Sequence, residues 1–285
     1  NILATQVPVP LSVNIAMAIG RAGSIQPMLS KLLNLFSGKE AAPAAAVPPG
    51  QRVYAVGDVH GRADLFTALA DAIETDNAAR GPADSIVILL GDLVDRGPDS
   101  AGVLRAARDW QRRRPLRGLM GNHEEMFLGA FENPEILRQF LRHGGRETLL
   151  SYPIDPATYA AATLAETQQL MREAVPAEDI AFMQEMEGMV RVGDYLFVHA
   201  GIRPGVPLEE QRGADLRWIR EPFITSREDL GCTVVYGHTI YDRPELAASR
   251  IGIDTGAYES GRLTALGLEG TSRWLIETGV EGGAV

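Results

Sequence analysis

Short apolar runs alternate with longer polar segments over most of the chain downstream of residue 50. These runs are rich in β-branched residues and stop at glycine, aspartate or histidine, which predicts β-strands. Strands that alternate with helix-compatible segments indicate the α/β class. Near the C-terminus, Arg262–Thr278 reads as a meander of two strands that is broken at Glu269 and Gly270. The other predicted strands are 52–56, 86–90, 116–120, 195–198, 233–236 and 251–253.

Two regions depart from this alternation. Between about residues 125 and 190 the pattern becomes helical, with Leu137, Phe140 and Leu141 on one face, and we interpret it as a helical insertion. Residues 1–39 are compatible with one or two short amphipathic helices, and the alanine- and proline-rich stretch after them reads as a linker. We therefore expect an N-terminal tail and linker over 1–50 and one globular domain over 51–285.

Composition excludes several classes of function. The net charge is −10, and an acidic body repels phosphate backbones, so we expect no nucleic-acid partner. The sequence has no apolar stretch long enough to span a bilayer, which predicts no membrane partner and a cytoplasmic location. The single cysteine, Cys232, is expected to be a buried structural thiol. No arginine follows it at the spacing of a cysteine-based phosphatase loop.

Polar side chains that can bind metals stand where the predicted strands stop. In open α/β sheets the ligand site lies at the carboxyl ends of the strands, so these side chains are expected to meet in one crevice. Four of the five histidines belong to the set, and the fifth, His143, is expected to be a surface or capping residue. The set comprises Asp58, His60, Asp92, Asn122, His123, His199 and His238.

Carboxylate, imidazole and amide oxygen without thiolate suit manganese, iron or zinc. One catalytic ion must keep open positions, so this many ligands indicate two ions that share a bridging carboxylate. Taken singly, glycine-aspartate is a common turn and a lone histidine is commonly structural. Their coincidence at strand ends favours the metal site. Two ions can clamp the attacking and leaving oxygens of a phosphate ester and activate water, which predicts a phosphoester hydrolase.

Three motifs carry a family resemblance: Gly57-Asp58-Val59-His60-Gly61, Gly91-Asp92-Leu93-Val94-Asp95-Arg96-Gly97 and Gly121-Asn122-His123-Glu124. Together they resemble the signature of the phosphoprotein phosphatase family within the calcineurin-like metallophosphoesterases. The chain is most similar to the bacterial and phage branch, typified by lambda phosphatase. The resemblance implies a central β-sandwich flanked by helices, with the helical insertion near the active site. It also implies two divalent metal ions, with Mn²⁺ favoured and iron or zinc as alternatives.

Residue by residue, the resemblance implies the following roles. His123 is the general acid, held by Asp95, and protonates the oxygen that leaves when a metal-bridging hydroxide attacks. Arg96, Arg220 and Asn122 bind the phosphoryl group, whereas Arg217 is expected to form a surface ion pair. Asp58, His60 and Asp92 hold the first metal, and Asp92, Asn122, His199 and His238 hold the second.

The chain also departs from the eukaryotic branch of that family. Ala200 stands where that branch has a glycine, and Asp254-Thr255-Gly256-Ala257 replaces its C-terminal motif, as in the bacterial branch. The docking grooves and inhibitor sensitivity of the eukaryotic enzymes are therefore not expected here.

Three functions remain open at the level of sequence. The first is hydrolysis of phosphate monoesters, with phosphoserine and phosphothreonine proteins or small phosphoesters as substrates. The second is symmetrical hydrolysis of dinucleoside polyphosphates such as diadenosine tetraphosphate. Those enzymes typically carry other residues at the positions of Asp95 and Glu124, which favours the phosphatase. The third is a non-catalytic metal-binding scaffold, which is disfavoured because every expected ligand position is filled.

Overall fold

The computed structural model describes residues 44–279. Within this range ten strands form two five-stranded sheets. The helices predicted within residues 1–39 lie outside the described residues. The strands are β1 Gln51–Val56, β2 Asp84–Leu89, β3 Leu116–Gly118, β4 Met189–Val192, β5 Tyr195–Val198, β6 Thr233–Tyr236, β7 Glu245–Leu246, β8 Arg250–Gly252, β9 Leu263–Glu269 and β10 Ser272–Thr278.

Helices connect these strands and cover the sheets. A short 3₁₀ turn forms at Leu208–Glu210, and a kinked turn at Leu141–Gly145 separates two helices of the predicted insertion. The α-helices are α1 Ala63–Ala79, α2 Ser100–Gln111, α3 Asn122–Ala130, α4 Pro134–Phe140, α5 Arg146–Ser151, α6 Pro156–Ala161, α7 Leu164–Ala174, α8 Ala177–Gln184, α9 Gly213–Trp218 and α10 Ala257–Ser260.

Each sheet has a parallel centre. The first sheet runs β10-β9-β1-β2-β3, with β1, β2 and β3 parallel and β9 antiparallel to β1. The second runs β4-β5-β6-β8-β7, with β5, β6 and β8 parallel and an antiparallel strand at each edge. Parallel strands end on the same side of a sheet, so each sheet delivers several chain segments to one end.

Alternation along the strands divides the core into layers. Val53 and Ala55 of β1 face a cluster between the sheets that also contains Phe197 and Val235. Tyr54 and Val56 lie on the opposite face of β1 and contribute to a second cluster, in which helices cover the first sheet. Successive side chains of a strand point to opposite faces, so a strand that is buried on both sides reads as a continuous apolar run. The predicted central sandwich flanked by helices is confirmed.

The strands predicted from the apolar runs all form, although β3 ends at Gly118 and not at residue 120. Sequence reading missed β4 and β7, the two edge strands of the second sheet. They are short, and each contains a charged residue, Arg191 in β4 and Glu245 in β7, so neither shows a recognisable apolar run. Cys232 lies one residue before β6 and is half-buried, not buried as expected.

The described end of the predicted linker lies against the sheets. Val47 is buried, and its backbone N–H donates to the Gly270 carbonyl at 2.9 Å. The Ala46 carbonyl accepts from the Asp194 backbone N–H at 3.0 Å. Among residues 44–279, no helix is long and apolar enough to cross a membrane.

Candidate active site

Five polar side chains meet where the parallel strands of the two sheets end. Asp58 follows β1, Asp92 follows β2 and Asn122 follows β3 in the first sheet. His199 and His238 follow β5 and β6 in the second. All five are at most 7% exposed, so this end of the sandwich is a buried polar centre.

Two glycines allow the strand ends to approach one another. A Cβ atom at Gly121 would lie 2.2 Å from Asp92 Oδ1, and one at Gly237 would lie 2.0 Å from Asp58 Oδ1. Any side chain at either position would therefore displace a carboxylate of the site.

Near Asp92, several atoms with lone pairs lie close together without a hydrogen between them. His199 Nδ1 donates to the Leu90 carbonyl at 2.8 Å, and this contact assigns the lone pair of the neutral ring to Nε2. That nitrogen lies 3.0 Å from Asn122 Oδ1 and 3.4 Å from Asp92 Oδ1. A cation between these atoms would satisfy all of them.

Further buried atoms lack a hydrogen-bond partner among the described residues. Asp58 Oδ1 and His238 Nε2 are two of them. His60 donates from Nδ1 to the Val94 carbonyl at 2.9 Å, so its Nε2 also presents a lone pair to the centre. An unpartnered buried polar atom is costly, and metal coordination would remove that cost here.

Two groups of ligand atoms share Asp92. His60, Asp92 and His123 form one, and Asp92, His199 and His238 form the other, with the atoms of each group within 4.8 Å of one another. Asp92 is thus placed to bridge two ions. His123 belongs to the first group, but its Nδ1 is engaged with Asp95, and Asp58, whose Oδ1 has no partner, is the freer ligand. The donor set fits two divalent cations.

His123 and Asp95 form a buried pair beside this centre. His123 Nδ1 lies 2.6 Å from Asp95 Oδ2, and both side chains are at most 1% exposed. Burial opposes a charge on His123, but the carboxylates of Asp92 and Asp95 outweigh it and raise the pKa of the imidazole. His123 is therefore suited to hold a proton near neutral pH and to give it to a bound group.

Two arginines face the same cavity. The guanidinium nitrogens of Arg96 lie 3.0 Å from His60 Nε2 and 3.1 Å from His123 Nε2. Its guanidinium lies 4.8 Å from the centre of the Tyr258 ring, a distance that allows a cation–π contact. Arg220 donates to the His238 carbonyl at 3.2 Å. Planar guanidinium groups in these positions suit a phosphoryl group.

Backbone strain is concentrated in the turns that build this site. Non-glycine residues with a left-handed φ cost about 1–3 kcal/mol each and persist only where the surroundings hold them. Among the described residues, all of them belong to the site: His60, Asp92, Asp95, Arg96 and His238, with φ between 46° and 74°.

The cavity itself is small and crowded with negative charge. Its volume is about 210 Å³. Burial and nearby carboxylates raise the pKa of Asp58 and bring that of Glu124 to about 7. Burial also raises the pKa of Asp254 to about 6. The lining comprises Asp58, His60, Asp92, Arg96, Asn122, His123, His143, Trp218, Arg220, His238, Ile240 and Tyr258.

Comparison with known proteins agrees with this geometry. The family model of calcineurin-like phosphoesterases matches residues 51–257, which span both sheets and every site residue described above except Tyr258. The chain belongs to the calcineurin-like phosphoesterase family. It is therefore a phosphoester hydrolase of the metallophosphoesterase type, and divalent metals are the cofactors of this family.

Related proteins include a protein phosphatase and bis(5′-nucleosyl)-tetraphosphatases. A Salmonella typhimurium serine/threonine-protein phosphatase 1 is 29% identical over 75% of this chain and 90% of its own length. A symmetrical bis(5′-nucleosyl)-tetraphosphatase of Acidovorax sp. is 33% identical over 55% of this chain but only 47% of its own length. An asymmetrical enzyme of that name from Bacillus velezensis, PrpE, is 25% identical over 73% of this chain and 86% of its length.

Solved structures of this family share the fold. A chain proposed to be a diadenosine tetraphosphatase matches with a TM-score of 0.57 at 21% identity, covering 84% of this chain and all of the other. A cold-active protein-tyrosine phosphatase of a psychrophilic Shewanella matches with a TM-score of 0.50 at 19% identity, covering 80% of this chain and 82% of the other. At these identities the likeness extends to the architecture alone.

The structure brings every candidate residue of the sequence analysis to one place. Arg217 instead forms the expected ion pair, 2.6 Å from Glu125. Sequence reading gave no role to Asp254, although it follows a strand as the ligands do. It also missed Tyr258, which lines the cavity, and Thr148, which contacts Asp95. His143 is exposed, as expected, and also lines the cavity. His143 and Thr148 come from the helical insertion, where no strand end marks them.

Proposed function

We propose that this chain is a dinuclear metal-dependent phosphatase that hydrolyses phosphate monoesters, with phosphoserine and phosphothreonine of proteins as its substrates. The observation that carries the proposal is the His123–Asp95 pair, 2.6 Å apart, which faces a cavity lined by metal-capable atoms without partners. An acid and a metal centre at one phosphate-sized cavity are what hydrolysis of a stable ester requires.

The metal ligands follow the arrangement of the site. Asp58, His60 and Asp92 would hold one ion, and Asp92, Asn122, His199 and His238 the other. When bound, such ions act as Lewis acids toward the phosphoryl oxygens and lower the pKa of water, which supplies the nucleophile at neutral pH. We expect Mn²⁺ in both positions, with iron or zinc as alternatives.

The remaining residues bind the substrate and move one proton. Arg96 and Arg220 hold the phosphoryl oxygens through their guanidinium N–H groups, and the Asn122 amide lies beside them. His123 donates the proton from Nε2 to the oxygen of the leaving alcohol. Asp95 accepts the Nδ1 proton, which fixes the orientation of the ring and stabilises its charged form.

A dinucleoside polyphosphate is the second candidate, because relatives from Acidovorax and Bacillus velezensis bear that name. The acid pair argues for the monoester. An alkoxide is a strongly basic leaving group and needs a proton, whereas a nucleotide phosphate leaves as a stable anion. The buried His123–Asp95 contact provides the proton that serine and threonine esters require.

Parallel assays test the proposal. The purified chain with Mn²⁺ is given a phosphoserine peptide, a phosphotyrosine peptide and diadenosine tetraphosphate, and a chelator-treated sample is the control. We expect the phosphoserine peptide to be turned over fastest and the chelator to abolish turnover. Faster hydrolysis of the dinucleotide by orders of magnitude would replace this substrate with the second candidate. Inertness toward all three would favour the scaffold.

A further inference from the structure

Thr148 joins the helical insertion to the acid pair. It lies on α5, 53 positions from Asp95 in the chain, and is fully buried. Its hydroxyl donates to Asp95 Oδ1 at 2.6 Å and accepts from the Asp95 backbone N–H at 2.8 Å. One side chain therefore grips both the carboxylate and the backbone of the residue that orients His123.

The hydrogen-bond partners of the Thr148 hydroxyl fix its orientation. A threonine hydroxyl has one proton and two lone pairs. The proton goes to Asp95 Oδ1, and one lone pair takes the Asp95 N–H, which Ser100 Oγ also accepts at 3.0 Å. Ser100 Oγ, 2.9 Å away, must donate to the other. Every position of the hydroxyl is used, so its orientation is fixed by the network.

The same network fixes the carboxylate. Asp95 Oδ2 takes the His123 N–H, and Oδ1 takes the Thr148 hydroxyl, so the two oxygens cannot exchange places. Asp95 is fully buried and has a left-handed φ of 74°, a conformation that needs surrounding contacts to hold it. Thr148 supplies contacts to both parts of the residue.

We propose that Thr148 is the positioning residue of the general acid: its hydroxyl locks the Asp95 carboxylate so that His123 presents its proton to the leaving oxygen. The inference rests on the proposed function, because it concerns the acid of that reaction. It gives the helical insertion a part in catalysis that does not require contact with the substrate.

The test compares two leaving groups. Thr148→Val replaces the hydroxyl with a methyl group of similar size. With phenyl phosphate, whose leaving oxygen needs a proton, we expect kcat to fall about 10- to 100-fold with KM unchanged, the range seen when an outer partner of a functional side chain is removed. With 2,4-dinitrophenyl phosphate, which leaves unprotonated, kcat should change by less than about twofold, because the acid contributes little to that step.

Three further variants sharpen the test. Thr148→Ser retains the hydroxyl and should restore turnover of phenyl phosphate. Thr167→Val removes the hydroxyl of another buried threonine of the insertion, whose bond goes to the Thr163 carbonyl, and should match the wild type. The double variant His123→Asn/Thr148→Val should be no slower than His123→Asn alone, because Thr148 acts through His123.

A spectroscopic readout separates positioning from folding. The Nδ1 proton of His123, held in a 2.6 Å contact, should give a far-downfield proton resonance in the metal-free wild type and in Thr148→Ser. In Thr148→Val that resonance should broaden or disappear.

Three kinetic or spectroscopic results would overturn the proposal: equal losses of kcat on both substrates, an unchanged resonance in Thr148→Val, and no rescue by Thr148→Ser. A fourth concerns folding and uses Thr148→Cys as a second variant without the hydroxyl: Thr148→Val and Thr148→Cys both unfold while Thr148→Ser folds. The last would assign the hydroxyl to folding. If the wild type itself cleaves no phosphate ester, the proposed function fails instead. The wild-type assay therefore separates the two failures.

Discussion

The hydrogen-bond partner of Nδ1 sets the tautomer and charge of each histidine described here. His60 and His199 donate from Nδ1 to backbone carbonyls, which fixes the neutral tautomer with Nε2 toward the centre. His123 donates from Nδ1 to a carboxylate instead, which favours its charged form. In the proposed mechanism, the neighbours of the histidines thus divide them between cation binding and proton donation.

Removal of the acid should separate chemistry from metal binding. In His123→Asn we expect kcat for phosphoserine peptide to fall roughly 10²- to 10⁴-fold, the usual contribution of a general acid. Metal content should stay at the wild-type level, because the proposed ligands of the first ion, Asp58, His60 and Asp92, do not include His123. Steady-state kinetics and elemental analysis of the same sample check both statements. Full turnover in this variant would remove His123 from the mechanism.

The charge of Asp95 sets the pH range over which the acid works. Asp92 and Asp95 raise the pKa of His123 against the opposing effect of burial, so the protonated form persists to higher pH. In Asp95→Asn the pKa of His123 falls, and the alkaline limb of the kcat profile should move to lower pH. The profile is measured with phenyl phosphate at saturating Mn²⁺. A limb that stays in place would show that another group titrates there.

At the scale of elements, Glu124 ties two turns of the site together. Its carboxylate accepts the backbone N–H of Asp92 at 2.8 Å and of Leu93 at 2.7 Å, in the turn after β2. It also accepts from Gly121 at 3.0 Å, at the start of α3. One buried side chain therefore satisfies donors that the ends of two elements leave without partners.

Glu124→Gln should destabilise the fold through those donors. Glutamine has one acceptor oxygen, so at least one buried N–H loses its partner, at a cost of about 1–3 kcal/mol in the free energy of unfolding. Glu125→Gln is the matched control: the neighbouring carboxylate is 39% exposed and pairs with Arg217, so its loss should cost at most about 1 kcal/mol. Urea titrations followed by circular dichroism compare the two. Equal effects would contradict the role given to Glu124.

The elements also show where sequence reading succeeds and where it ends. Strands buried on both faces give apolar runs, and a polar side chain after such a run falls at a predictable place, as Asp92 does after β2. The docking of the insertion has no such signal. The Arg96 N–H donates to the Gly144 carbonyl at 3.1 Å, a contact between turns 48 positions apart that no periodic pattern encodes. His143 and Thr148 reach the site through that docking, so only the structure reveals them.

At the scale of the molecule, a protein of net charge −10 gathers most of the carboxylates that are buried among the described residues at one centre; Asp179, which pairs with Arg108, lies elsewhere. Burial raises the pKa values of Asp58, Glu124 and Asp254, which means that their charges destabilise the metal-free fold. Two divalent cations would neutralise them. Metal binding should therefore contribute to folding as well as to chemistry.

The stability of the metal-free protein should fall as pH rises between about 7 and 8.5. Glu124 titrates at about 7 in the fold and so loses its proton from the start of this window, and the raised pKa of His123 acts in the same direction. In the unfolded chain both have lost theirs at lower pH. Each group therefore stabilises the fold fully at a pH below its unfolded pKa, and this contribution is lost as the pH rises through its folded pKa. His60 and His238, with pKa values of about 3, are neutral in the fold. In the unfolded chain they still carry part of a proton near pH 7, so they oppose this slope at the acidic end of the window and not at the alkaline end.

Thermal unfolding at the two ends of this window measures the effect, first with a chelator and then with Mn²⁺. With the chelator, the melting temperature should be lower at the alkaline end. With Mn²⁺, it should rise at both ends by mass action, and the difference between them should shrink, because the ionised carboxylates then have cations as partners. His123→Asn with the chelator should show a smaller slope, since one of the two titrating groups is gone. A metal-free protein that is more stable at the alkaline end would mean that the crowded carboxylates do not govern its stability.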